Sequence, residues 1–159
     1  MKAVISRRKF VQISVLGAAS LGVGKAAYWF APSLPYPALK VGNINNLQTG
    51  QAVYFNYPDA RAQAILVKLG RQATGGIGKG RDVVAFSAAC THMGCGVQYK
   101  EGRFVCPCHF SMFDPAKNGQ VYQGLASTYL PQIELRLDSN GDIYARAIGG
   151  LIWGRASNI

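Results

Sequence analysis

Every cysteine and histidine of the chain lies within 25 residues, Cys90 to Asp114, in two short strings. The first is Cys90-Thr91-His92-Met93-Gly94-Cys95; the second is Cys106-Pro107-Cys108-His109-Phe110-Ser111. Thiolates and imidazoles are donors for transition metals, so the chemistry on offer is metal coordination. Two structural disulfides would use all four cysteines and leave the histidines incidental. A tetrahedral zinc site would use four of the six donors and ignore two. The spacing is C-x-H, thirteen residues, then C-x-x-H, with one further cysteine in each string. Thr91, Ser111 and Asp114 stand among these donors without forming a nucleophile and base. They read as groups that brace or tune the loops, and no catalytic residue is expected.

The elements that must carry these strings are short strands. Residues 52–57 and 63–69 flank Pro58-Asp59-Ala60-Arg61, whose residue types suit a hairpin turn. Residues 82–88 form another strand candidate, and residues 132–137 and 142–148 flank Asp138-Ser139-Asn140-Gly141, where Asn-Gly signals a hairpin. The glycine-rich stretch 75–80 reads as a flexible loop. It lacks the G-K-S/T ending and the following helix of a phosphate cradle. No internal repeat is evident.

Composition agrees with a small β domain preceded by an extension. In 159 residues, 49% are apolar and 15% charged, with 19 glycines and 7 prolines. That balance supports a packed, turn-rich core and argues against coiled coils and disorder. The net charge of +10 invites a nucleic-acid reading, but its distribution does not support one. Residues 1–31 hold five basic residues and no acid, and residues 32–159 hold 12 bases against 7 acids with no basic run. Such scattered charge is a solvated surface.

The first 31 residues are an address. Ser6-Arg7-Arg8-Lys9-Phe10-Val11 precedes a short, moderately apolar stretch, the layout of a targeting segment. The paired arginines resemble the twin-arginine signal, which implies export to the periplasm after a cofactor has been inserted. Residues 10–31 could instead stay as an inner-membrane anchor if Lys25 is tolerated inside the span. Residues 32–40 are too proline-rich for a helix or a central strand and are expected to form an extended tether.

With both strings in place, the chain resembles the Rieske iron–sulfur family over most of its length. In that family two histidines replace two cysteines on one iron of a 2Fe–2S cluster. The resemblance implies an all-β, Rieske-like antiparallel sandwich or barrel over residues 41–159, with an inserted two-loop cluster-binding subdomain at about 89–128. It implies Cys90 and Cys106 on one iron, and His92 and His109 on the other. Cys95 and Cys108 then match the pair that forms a disulfide in the Rieske proteins of respiratory complexes. An oxidising compartment permits that bond. Two ferric ions, two sulfides, two thiolates and two neutral imidazoles sum to zero charge. An all-cysteine cluster sums to minus two, so histidine ligation raises the potential. Ser111 stands where the family's serine hydroxyl meets a bridging sulfide. Phe113 stands where cytochrome bc proteins usually have a tyrosine, and Phe110 where they have glycine. Met93, Phe110 and Phe113 are expected to cover the cluster and help define a docking face.

The run Phe110-Ser111-Met112-Phe113-Asp114-Pro115 and the ending Leu151-Ile152-Trp153-Gly154-Arg155-Ala156-Ser157-Asn158 are similar to the small subunits of arsenite oxidases. That resemblance implies a large partner carrying molybdenum–pterin and a 3Fe–4S cluster, with a periplasmic cytochrome c or copper protein as acceptor. An iodate-reductase-like partner could share the same small chain. The other reading is a Rieske subunit of a quinol-oxidising cytochrome bc-type complex. It is disfavoured because residues 124–128 lack the prolines of that group's third cluster-covering loop.

Overall fold

The computed structural model describes residues 36–159. The expected export segment, 1–31, and the first residues of the expected tether, 32–35, lie outside the described residues. Ten strands follow in chain order: β1 (Leu39–Asn43), β2 (Ala52–Asn56), β3 (Gln63–Lys68), β4 (Val83–Ser87), β5 (Gln98–Lys100), β6 (Arg103–Val105), β7 (Met112–Asp114), β8 (Gln120–Gln123), β9 (Gln132–Leu137) and β10 (Asp142–Gly149). The helical pieces among the described residues are two 3-10 turns, Ile44–Asn46 and Pro115–Lys117. None of these is long and apolar enough to cross a membrane. The described residues are all-β apart from these turns, as expected.

Six strands form one antiparallel sheet in the order β1-β10-β9-β4-β3-β2. Its hairpins close with the chemistry their turn residues carry. In the β2–β3 turn the Asp59 carboxylate accepts from Arg61 N at 2.8 Å. In the β9–β10 turn the Asp138 carboxylate accepts from Asn140 N and Asp142 N at 2.9 and 2.8 Å. These are side-chain imitations of a backbone turn.

β1 begins at Leu39, inside the segment expected to be a free tether. Tyr36 stacks on Tyr57 with ring centroids 6.2 Å apart, and the Tyr57 hydroxyl donates to Pro37 O at 3.0 Å. The proline-rich stretch therefore reaches the domain before residue 40. It leads into an edge strand, where a neighbouring proline costs no ladder hydrogen bond.

β3 and β4 explain how this sheet carries a second unit. Their apolar runs are continuous rather than alternating, the mark of strands covered on both faces. Ala64 and Leu66 of β3 and Val83 and Ala85 of β4 face one core with Ile133, Ile143 and Ile148. Ile65 and Val67, with Val84 and Phe86, face a second core that contains Phe104, Phe113, Leu130, Cys90 and Cys106.

That second core belongs to a four-stranded sheet, β5-β6-β7-β8, inserted in the chain between β4 and β9. β4 and β9 pair directly, Ala85 with Ile133, so the insertion leaves and rejoins the larger sheet at neighbouring points. Arg71, after β3, reaches the insertion and donates to Gly102 O and Asp114 Oδ1 at 3.4 and 3.3 Å.

Candidate metal centre

The two donor strings occupy equivalent loops. The first leaves β4 and the second joins β6 to β7. In the first, Gly94 N donates to Cys90 O at 2.8 Å and Cys90 N donates to Cys95 O at 2.9 Å. In the second, Phe110 N donates to Cys106 O at 3.0 Å and Cys106 N donates to Ser111 O at 2.8 Å. Each loop is thus one closed turn, opened by a cysteine and closed four residues later by a residue with positive φ.

The closing residues are Gly94 at φ 74 and Phe110 at φ 55. Glycine adopts this conformation freely; a phenylalanine is held there at a cost of about 1–2 kcal/mol. Phe110 is therefore a strained residue at a position where glycine is the unstrained choice. Phe110 is 65% exposed and Met93 is 58% exposed, which puts both at the outer end of the loops.

The loops bring the donors together. Cys90 and Cys106 are free, at 0% and 1% exposure, in the core beneath the loops. Burial pushes the Cys90 thiol up, while backbone N–H groups of His92 and Met93 pull the other way, and the neighbouring Cys106 thiol raises it further. A metal ion relieves that situation by replacing the proton. His92 Nδ1 lies 3.2 Å from His109 Nδ1, with the rings edge to face at 81°. Two ring nitrogens turned on each other at this separation suit a single shared ion. Cys95 and Cys108 form a disulfide that ties one loop to the other. The Cys106 thiol lies within 4.8 Å of both disulfide sulfurs, but those are bonded to each other and are not donors.

A third segment, 124–128, closes the side of the loops. Leu125 N and Ala126 N donate to Ser111 Oγ at 3.1 and 3.0 Å. Thr91 Oγ1 donates to Thr128 O at 2.8 Å. Gly124 crosses so near Ser111 that a Cβ there would stand 2.4 Å from Ser111 Cα. Hydrogen bonds and a close glycine crossing hold this proline-free loop in place.

Ser111 also provides a test of fit for a cluster. A hydroxyl has one proton to donate and two acceptor sites. Both acceptor sites are filled by Leu125 and Ala126, and Ser111 is fully buried. Its proton has no acceptor among the described residues, as a group facing a sulfide requires. With two buried thiols, two converging imidazoles and this spare donor, the residues present fit a mixed His/Cys 2Fe–2S cluster.

Of the residues singled out by sequence, all but Phe113 and Asp114 meet at this loop cluster. Phe113, expected on the docking face, is instead fully buried on β7: its side chain points into the core shared with Cys90 and Cys106. Thr91 ties the first loop to Thr128, whereas Asp114 faces away from both loops: its Oδ1 accepts from Ala116 N at 2.9 Å, capping the 3-10 turn, and from Arg71. The sequence places 124–128 as a third loop but assigns no role to Gly124, Thr128 or Trp153, whose contacts are with distant segments.

The comparisons with known proteins agree with this geometry. A family model for the Rieske [2Fe-2S] domain matches residues 38–134. Over 164 residues the chain is 42% identical to the iodate reductase subunit IdrB of Denitromonas iodatirespirans, covering 99% of this chain and 88% of that one. It is 39% identical to the IdrB subunit of Pseudomonas sp. (strain SCT), covering 96% of this chain and 84% of that one. Among solved structures, the soluble domain of Rieske protein II (soxF) from Sulfolobus acidocaldarius shares the fold, with a TM-score of 0.68 at 24% identity over 78% of this chain and 84% of that one. Two metal loops of the same build, on a sheet inserted into a larger antiparallel sheet, thus carry a donor set suited to one kind of cluster: the chain belongs to the Rieske [2Fe-2S] family.

Proposed function

We propose that this chain is the electron-transfer subunit of a periplasmic molybdenum oxidoreductase, exported by the twin-arginine route. Cys90 and Cys106 bind one iron of its cluster and His92 and His109 the other. The cluster supplies a one-electron relay at the raised potential that histidine ligation brings. The observation that carries this reading is the convergence of His92 and His109 at the loop end that also bears the exposed Met93 and Phe110. A redox partner can approach that end closely, while both thiols stay buried.

Similarity over almost the whole chain to two iodate reductase subunits favours an oxyanion reductase as the partner's activity. Arsenite oxidase is the second reading, supported by the 110–115 run and the 151–158 ending. In the first case electrons enter the large subunit from a cytochrome c or a copper protein; in the second they leave it. Residues 10–31 could add a membrane attachment in either case.

Purification of the native complex, with metal analysis and assays with iodate and with arsenite, separates these readings. A molybdenum-bearing partner is expected. The isolated small chain should take up and release an electron but turn over neither substrate. Turnover by the small chain free of molybdenum would overturn the assignment, and a cytochrome b partner would replace it with the quinol-oxidising reading.

The same site makes a prediction about potential. The Ser111 proton favours the more negative, reduced state over the oxidised one. A hydrogen bond to a charged group is worth about 1.5–3 kcal/mol, or about 65–130 mV for one electron. It exists in both redox states, so the difference should be on the order of tens of millivolts. Ser111→Ala is expected to lower the potential, and Phe113→Tyr, which adds a donor in the same core, to raise it. Protein-film voltammetry at fixed pH measures both, and a shift of the opposite sign in an assembled variant would refute this control.

A further inference from the structure

After β10 the chain runs back along the domain as a strap, residues 150–159, fastened at three points. Ile152 is buried in the first core. The buried Asn158 side chain ties the strap to itself and to the start of the domain. Its Oδ1 accepts from Ile152 N at 2.9 Å, and its Nδ2 donates to Gly150 O at 2.8 Å and to the Tyr36 hydroxyl at 3.0 Å. Arg155 grips Asp59 of the β2–β3 turn with both guanidinium nitrogens, at 2.6 and 2.9 Å. This contact holds the Asp59 carboxyl at about 2, well below its ordinary range, so the grip persists far into acid.

Between these anchors the strap delivers Trp153 to the first metal loop. A Cβ built on Gly94 would stand 2.4 Å from Trp153 Cε3 and 2.7 Å from Cζ3. The indole therefore lies directly against the bare backbone of Gly94, where any side chain would displace it. Gly94 closes the loop through its bond to Cys90 O, and it sits between His92 and the disulfide-bonded Cys95. A groove of about 310 Å³ beside this contact is lined by Ala89, Gly96, Gln63 and Arg61. Gly94 and Trp153 themselves line the same groove, with Ile152 and Arg155 of the strap. Trp153 is 45% exposed, so its burial alone does not account for an indole there.

We propose that Trp153 is a positioning residue for the metal centre: carried on a fixed strap, its indole holds the Gly94 turn and with it the orientation of His92. The proposal rests on the cluster assignment made above. Removing the indole leaves the turn's outer face to water and allows the His92 side of the loop several arrangements. A cluster held in several arrangements shows a broadened spectrum and gives up its iron faster.

The test uses the full chain with its cluster loaded. Trp153→Ala is expected to broaden the electron paramagnetic resonance lines of the reduced protein and to speed iron loss to a chelator by about tenfold, the scale for losing a half-buried aromatic contact. Trp153→Phe, which keeps a flat ring, should restore most of the line shape. Asp59→Asn, which loosens the strap away from the loop, should broaden the lines in the same direction and keeps the proposal testable if Trp153→Ala fails to fold. Line shape and iron loss unchanged in Trp153→Ala would overturn it. So would a lowered melting temperature with the spectrum intact, which describes packing without positioning. If the unsubstituted chain shows no Rieske-type signal, the cluster assignment itself has failed, a result distinct from either.

Discussion

His92→Ala is expected to abolish the cluster, and so are Cys90→Ala, Cys106→Ala and His109→Ala taken singly. In the proposed ligand set each residue supplies one of the four protein–iron bonds, and the loops offer no substitute. The remaining sulfurs, those of Cys95 and Cys108, are consumed in their own bond. The exposed thioether of Met93 is a weak donor beside imidazole. The expected readout is loss of the rhombic resonance of the dithionite-reduced protein, with iron content falling to near zero. Met93→Ala, one residue from His92, should retain both. The size of the effect follows from the donor geometry: one of two nitrogens 3.2 Å apart cannot hold an iron alone against water and oxidant. A His92→Ala protein with an intact cluster spectrum would defeat the ligand assignment.

The second large effect concerns the Cys95–Cys108 disulfide. It closes a segment with a sequence separation of 13, for which the chain-entropy argument gives about 3 kcal/mol. Replacing both cysteines with serine should therefore lower the melting temperature by roughly 6–12 °C, at about 2–4 °C per kcal/mol for a chain of this size. The cluster should still assemble, because the four proposed ligands are untouched and each loop keeps its own pair of closing backbone bonds. Release of iron should be faster, since the loops then lose their covalent tie and keep only non-covalent links, among them those of Thr91 and Ser111 to the 124–128 segment. An unchanged melting temperature would show that the bond does not restrain the unfolded chain. Complete failure to load iron would show that the bond is needed to shape the loops.

Much of this was legible in the residues because it is local. The donor strings, the Asp59 and Asp138 turns and the long strands all declare themselves within a few positions. The chain from 98 to 114 did not, because β5, β6 and β7 have three residues each. Three residues are too few to establish an alternation, and these strands are held by tertiary contacts, as Phe104 and Phe113 are by Phe86 and Leu130. β1 was hidden by the prolines before it. The roles of Thr128, Gly124 and Trp153 depend on meeting residues 13 to 59 positions away. No one-dimensional pattern encodes such meetings. Ser111 was picked out for its proton, but its other partners, two backbone N–H groups of the third loop, could be found only in three dimensions.

The double burial of β3 and β4 has a consequence for the order in which the molecule is made. The metal loops, at 90–95 and 106–111, emerge during synthesis before β9 and β10, which complete the sheet beside β4, and before the strap that reaches Gly94. Until residue 149 has been added, one face of the β3–β4 wall lacks Ile133, Ile143 and Ile148, and the floor under Cys90 is unsupported. A nascent chain can therefore present its thiols and imidazoles to iron but cannot yet lock them. Locking is a property of the finished polypeptide. That ordering leaves a window, between termination and final closure, in which iron and sulfide can reach an open site.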